Sequence, residues 1–157
     1  MQDKRETILS RMLTLLGTVN GTADPLSVFR NRAEIPTDKL PALVLLDGRE
    51  ILKNPQAVHN RGGARAPGIF ELSPQVFIVL RPRNTIDNPG VGEELSGLRM
   101  QVLKAFTNDD ELWALLGSNG ELIHSGHDTD MQTGSTVLGQ MQMRFQLTYV
   151  LDPNDLN

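Results

Sequence analysis

Cysteine is missing from all 157 residues. Its absence removes disulfide frameworks, thiolate zinc sites, iron–sulfur clusters and a cysteine nucleophile, and it fits a reducing compartment. Long apolar runs are missing too: no stretch approaches the roughly 20 residues that a membrane span needs, so no membrane partner is expected. Met1 to Glu6 carries charges of both signs and no apolar core region follows before Gly17, a pattern read as lacking a secretory leader. Positive charge is in short supply, with 15 Lys plus Arg against 19 Asp plus Glu and a formal net charge of −4. Bulk nucleic-acid binding normally leaves a basic footprint, so this balance argues against it while allowing a local basic patch. What is present is enough chain to bury about 68–70% of the unfolded surface in one core. Residues 1–157 are therefore expected to form a single domain.

Hydrophobic periodicity orders the elements. Asp3 and Glu6 precede Ile8, Leu9, Met12, Leu13, Leu15 and Leu16 at helical spacing, which predicts an amphipathic helix from Asp3 to Leu16 with Gly17 as its permissive end. A loop over Gly17 to Pro25 leads to a short strand, Ser27 to Arg32, closed by Ile35-Pro36. Ala42 to Leu46 is an unbroken apolar run between Pro41 and Asp47-Gly48, as expected of a strand buried on both faces. Gln75 to Leu80 repeats the pattern, and Ile69 to Leu72 can extend it. A second helix is expected over Glu93 to Phe106 and one or two further helical turns over Asp110 to Leu116. Glu121 to Gly126 reads as a strand and Asp128 to Ser135 as a polar loop. In the last strand Met141, Met143, Phe145, Leu147 and Tyr149 alternate with Gln142, Arg144, Gln146 and Thr148. Asp152-Pro153 ends it, leaving a short acidic tail, 152–157.

These elements predict an α+β fold: one mixed or antiparallel sheet with two main helices on one face and a long extended loop or hairpin. That loop, 48–68, is a basic island, carrying Arg49, Lys53, Arg61 and Arg65 against Glu50 alone. Excursions of this length are usually functional or disordered. Helices on one face leave the other side of the doubly apolar strands to meet something else, and a neighbouring copy of the chain is the simplest candidate.

Catalytic chemistry finds little support. His124, His127, Asp128 and Asp130 offer nitrogen and oxygen donors, but on a regular strand residues 124 and 127 point to opposite faces, and solvated loop residues are the better reading. Gly62-Gly63 and Gly90-x-Gly92 match neither a Walker loop nor a dinucleotide fingerprint, which leaves them as turn glycines. Asp109, Asp110 and Glu111 stand at a helix start, where capping explains them better than paired catalysis. No serine sits in a nucleophile-elbow context. No catalytic residue, metal or cofactor is expected. The basic island lacks aromatic platforms for bases, so solvation and subunit contact rank ahead of nucleic-acid binding.

Two stretches carry a family likeness. Val28-Phe29-Arg30-Asn31-Arg32, then Ile35-Pro36 and Leu40 to Gly48, resembles the opening of tail terminator (tail-completion) proteins of long-tailed, non-contractile bacteriophages. Gly126 to Asp130, with Leu138-Gly139-Gln140-Met141 and the strand through Asp152-Pro153, is similar to their closing portion. The excursion from Arg49 to Pro67 is the least family-like part. The resemblance implies a virion protein of the head-proximal tail, assembled in the host cytoplasm. It implies a homo-hexameric ring that caps the tail tube, stops tube growth and meets the head–tail connector, with DNA only passing through the lumen. A neck, head-completion or minor tail ring is the nearest alternative; a metal hydrolase or nucleic-acid-binding domain ranks below both. On this reading Arg49, Lys53, Arg61 and Arg65 are expected at a subunit boundary or toward the channel, and Gln142, Arg144, Gln146 and Thr148 against a partner surface.

Overall fold

The computed structural model describes residues 3–20, 26–54, 68–82, 89–132 and 138–151. The middle of the basic excursion, with Arg61, Arg65 and Gly62-Gly63, lies outside the described residues, as do the acidic tail 152–157 and Ser135.

Helix α1 spans Lys4–Leu16, and its first turn is capped by the Asp3 carboxylate, which accepts from the Arg5 N–H at 3.1 Å. Ile8, Leu9, Met12, Leu15 and Leu16 form its buried stripe. Gly17 ends the helix at φ −65°, a right-handed conformation open to any residue, so its expected permissiveness is not used. Strand β1, Ser27–Arg30, is two residues shorter than its pattern predicts and runs parallel to β2, Ala42–Leu52. Strand β3, Gly68–Val79, pairs antiparallel with β2 on one side and with β5, Leu138–Leu151, on the other. Strand β4, Glu121–Gln132, closes the far edge, giving one mixed five-stranded sheet in the order β1-β2-β3-β5-β4. Helix α2 runs over Pro89–Thr107, a turn longer at its start than expected, and opens on proline, whose missing N–H is harmless in a first turn. Helix α3 is Asp110–Leu116; Asp109 caps it by accepting from the Leu112 N–H at 2.8 Å, the capping role its sequence position predicts.

All three helices pack on one face of the sheet. Their buried residues merge with Leu43 and Leu45 of β2, Leu72, Val76 and Ile78 of β3, and the whole period-2 row Met141, Met143, Phe145, Leu147 and Tyr149 of β5. The Phe106 and Phe145 rings meet edge to face at 5.2 Å, joining α2 to the sheet centre. At the margin of this layer the Tyr149 hydroxyl donates to the Glu50 carboxylate. Burial and that hydrogen bond to a carboxylate both raise the tyrosine's pKa.

Two bulges account for the departures from the expected strands. Asp47-Gly48, expected to end β2, instead forms a kink through which the strand continues to Leu52: Leu46 opposes Gln75 and Arg49 opposes Ser73, so two residues face Pro74 alone. Proline has no N–H to offer a ladder, and a bulge is where a sheet tolerates it. Gly48 sits at φ 73°, and a Cβ there would lie 1.9 Å from the Ser73 carbonyl oxygen. The base of the basic excursion is thus a β-hairpin. The second bulge lies between His124 and Gly126, and β4 runs on to Gln132 where a polar loop is expected from Asp128. Gly48→Ala should destabilise the fold by about 1–3 kcal/mol through the left-handed backbone alone, with the clash adding to it. Urea unfolding, read as a lower midpoint at unchanged slope, checks this.

Candidate assembly surface

The sheet face away from the helices carries two different surfaces. At one end, Ala42, Val44 and Leu46 of β2 stand beside Phe77 and Val79 of β3. This is the consequence of apolar runs in which alternate residues must point away from the core. Ala42 is fully buried and Val44 is 3% exposed, yet neither belongs to the helix-side cluster. Part of their cover is the chain's own connection from β1 to β2. Asn31 starts this strap at φ 53°, its N–H donating to the Leu45 carbonyl at 2.8 Å and its Oδ1 accepting from the Asp47 N–H at 3.0 Å. A short 3-10 turn, Thr37–Lys39, leads on to Leu40, which is also buried. Arg81 reaches back to hold the strap, donating to the Leu40 carbonyl at 2.9 Å.

The cover is incomplete. Between strap and sheet lies an open cleft of about 470 Å³, lined by Ala33 and Ile35 on one wall, Val44, Leu46, Phe77 and Val79 on the other, and Asn31, Arg32 and Gln140 at its polar margin. The Arg32 guanidinium lies over the Phe29 ring, 4.7 Å from its centroid. A neighbouring copy, the simplest candidate to meet the second face, is not needed for all of it: part of that face is covered within the chain, by residues whose apolar character gave no periodic signal.

The other end of the face is polar and gathers the residues singled out from the sequence. Register places Arg49 opposite Ser73, Glu71 opposite Thr148, Gln75 opposite Arg144 and Phe77 opposite Gln142, all on this side. Arg49 is exposed, whereas Lys53 pairs with Glu71 at 3.2 Å. Gln142 donates to Gln75 at 2.8 Å, and Arg144 pairs with Asp128 of β4. Gln142, Arg144, Gln146 and Thr148 are all half-buried by their neighbours in the single chain. Two groups named for different reasons, a basic loop base and an alternating strand, thus share one sheet face across β3. Ile123, 46% exposed, adds an apolar spot at the β4 edge of the same face.

A charge network fastens the root of the strap to α1 on the helix side. Arg30 donates to both Glu6 oxygens at 2.7 and 2.8 Å and to both Asp47 oxygens at 2.8 and 2.9 Å, a double bidentate clamp. Arg5 adds contacts to Glu50 at 3.1 Å and to Asp47 at 3.7 Å. The Arg30 hydrogen bonds draw Glu6 from its ordinary 4.5 to about 2 and hold Asp47 below its usual range. None of this network was expected from the sequence. Its only trace is the charged alternation Arg30 and Asp47 at either end of the strap, and spacing along the chain cannot reveal that they meet.

Among the described residues no group of three or more His, Cys, Asp or Glu side chains is arranged to hold a metal ion, and no helix there is long and apolar enough to cross a membrane. The clamp sets a pH dependence. Because the folded-state pKa of Glu6 is depressed, the unfolded chain binds more protons between about 4.5 and about 2. The clamp's stabilisation is therefore full above that window and is lost as pH falls through it. Unfolding midpoints in urea should decline steadily on acidification below about pH 5. Glu6→Gln should flatten that decline, and added salt should shrink it because Glu6 is partly exposed. Compared with known proteins, no family model matches this chain and no curated protein matches it in sequence.

Proposed function

We propose that this protein is a virion structural subunit of the phage tail terminator type. It forms a ring, sixfold in the family it resembles, that caps the tail tube at the head-proximal end, stops tube growth and meets the head–tail connector. The observation that carries the reading is the cleft on the second sheet face. Asn31, Arg32 and Ile35 of the strap, Val44 and Leu46 of β2, and Gln140 of β5 all line it, and all come from the stretches that bear the family likeness. A likeness that takes in an open apolar recess, with Phe77 and Val79 as its floor, fits a surface made to receive a neighbour's side chains. The polar half of the face, from Arg49 through Arg144, supplies the rim that such an interface places around an apolar centre.

A ring is built by a heterologous contact that closes on itself, with one surface of each subunit docked on a different surface of the next. The cleft serves as the receiving surface. Strand β4 is a 12-residue sheet edge and is available as the donating one. Arg61 and Arg65, beyond the described residues, belong to the same proposal as charges at the subunit boundary or lumen.

Phe77→Asp with Val79→Asp should weaken self-association by at least tenfold, because each buries a carboxylate in an apolar contact. Sedimentation velocity and negative-stain images of tails with bound protein read the outcome. A wild-type chain that stays monomeric at high concentration and never decorates tail ends overturns the reading.

A further inference from the structure

Among the described residues lining the cleft on the second sheet face, Arg32 carries the one charge and no carboxylate answers it. Its guanidinium lies over the Phe29 ring, and its Nε donates to the Glu34 carbonyl at 3.1 Å. Stacked on a ring and tied along one edge, Arg32 is a cation preset beside an apolar slot. An occupant that answers both features pairs a large apolar side chain with a neighbouring carboxylate.

Beyond Leu151, where β5 ends, the sequence runs Asp152-Pro153-Asn154-Asp155-Leu156-Asn157. This tail carries two carboxylates and no cation, and its one large apolar residue directly follows a carboxylate. The other stretches outside the described residues fit less well. Residues 55–67 carry Arg61 and Arg65 without a carboxylate and would set like charge against Arg32, and 83–88 offset Ile86-Asp87 with Arg83.

Geometry decides which copy supplies the tail. Through the register of β2, β3 and β5, the cleft residues Leu46, Phe77 and Val79 stand level with Arg144, Gln142 and Gln140. Those positions lie about 24–37 Å back from Leu151 at the rise of a strand. Leu156 is five residues beyond Leu151 and reaches about 18 Å at full extension. The tail therefore falls short of its own cleft. It leaves the sheet just past Thr148, the partner of Glu121 at the start of β4, and so departs from the edge offered to a neighbour.

We propose that residues 152–157 of one copy dock in the cleft of the next, with Leu156 against Phe77 and Val79 and Asp155 paired with Arg32. The proposal rests on the ring reading above and names the segment that the cleft receives. Because the tail cannot fill its own cleft, the cleft is filled only by association, in a contact that runs head to tail around the ring.

A chain without cysteine lets this contact be trapped directly. The full chain carrying Leu156→Cys and Val79→Cys, oxidised at a concentration where the wild type associates, should give an inter-chain disulfide ladder on a non-reducing gel. Leu156→Asp should weaken self-association about tenfold in sedimentation velocity, the worth of burying one leucine side chain. Asp155→Arg should weaken it about threefold, and adding Arg32→Asp should restore it. A wild type that associates while the Leu156→Cys, Val79→Cys chain gives no ladder overturns tail docking and leaves the ring reading standing. A product formed by Val79→Cys with Val58→Cys or Ile86→Cys, and not with Leu156→Cys, gives the cleft to another segment and overturns it equally. A wild type that stays monomeric overturns both.

Discussion

Strands β2 and β3 are apolar on both sides, and a sheet with such strands must be covered twice. This requirement shapes the rest of the molecule. Three helices supply one cover, filling the space over Leu43, Val76, Ile78 and the Met141 to Tyr149 row with a continuous core. Among the described residues no helix is left for the other side. The chain covers Ala42 and Val44 with an irregular strap instead, and a strap of about ten residues is too narrow to cover Leu46, Phe77 and Val79 as well. The cleft is the unmet part of that requirement. An apolar recess of this kind, open at the surface, is where a partner's apolar side chains would fit.

The strap's placement in turn depends on the Arg30 clamp. Arg30 ends β1 on the helix side, while Asn31, the next residue, turns the chain toward the opposite face through its left-handed backbone. Pinning Arg30 between Glu6 of α1 and Asp47 of β2 fixes that pivot on both sides, and Asn31 shares Asp47 by accepting from its N–H. One acidic residue at the β2 bulge thus anchors the clamp through its side chain and the strap through its backbone. Helix packing on one face is in this way coupled to cleft geometry on the other. Four charge-assisted hydrogen bonds on one guanidinium also explain why an arginine serves here, since a lysine ammonium cannot span two carboxylates in a plane.

Much of this architecture was legible in the sequence, because periodicity reports which residues face a core. The α+β class, the helices on one face, the doubly apolar strands and the alternation of β5 all follow from that signal. So does the capping role of Asp109. What escaped was whatever depends on a chain meeting itself at long range. The clamp joins residues 6, 30 and 47, and the strap packs by Ile35 against strands that the alternation rule had already filled. No local pattern records such a meeting. The gathering of Arg49, Lys53 and the Gln142 to Thr148 row on one face was equally hidden. It requires the pairing register of three strands, which periodicity within each strand leaves open.

The two bulges show a more specific limit and tie the site questions together. Alternation predicts facing only while the period of two is unbroken, and a single extra residue inverts every assignment beyond it. In β2 the inversion lets the strand pass Pro74, so that Arg49 faces away from the helices while Glu50 turns inward to Arg5 and Tyr149. In β4 it draws His124 and His127 together and leaves Asp128 with Arg144 on the other side. A regular β4 would place His124 and His127 apart, and neither would have formed a cluster with the other. Both irregularities stand beside glycine, at Gly48 and Gly126, the residue whose backbone accommodates the kink. The glycines that look like turn punctuation in the sequence therefore act as switches of face.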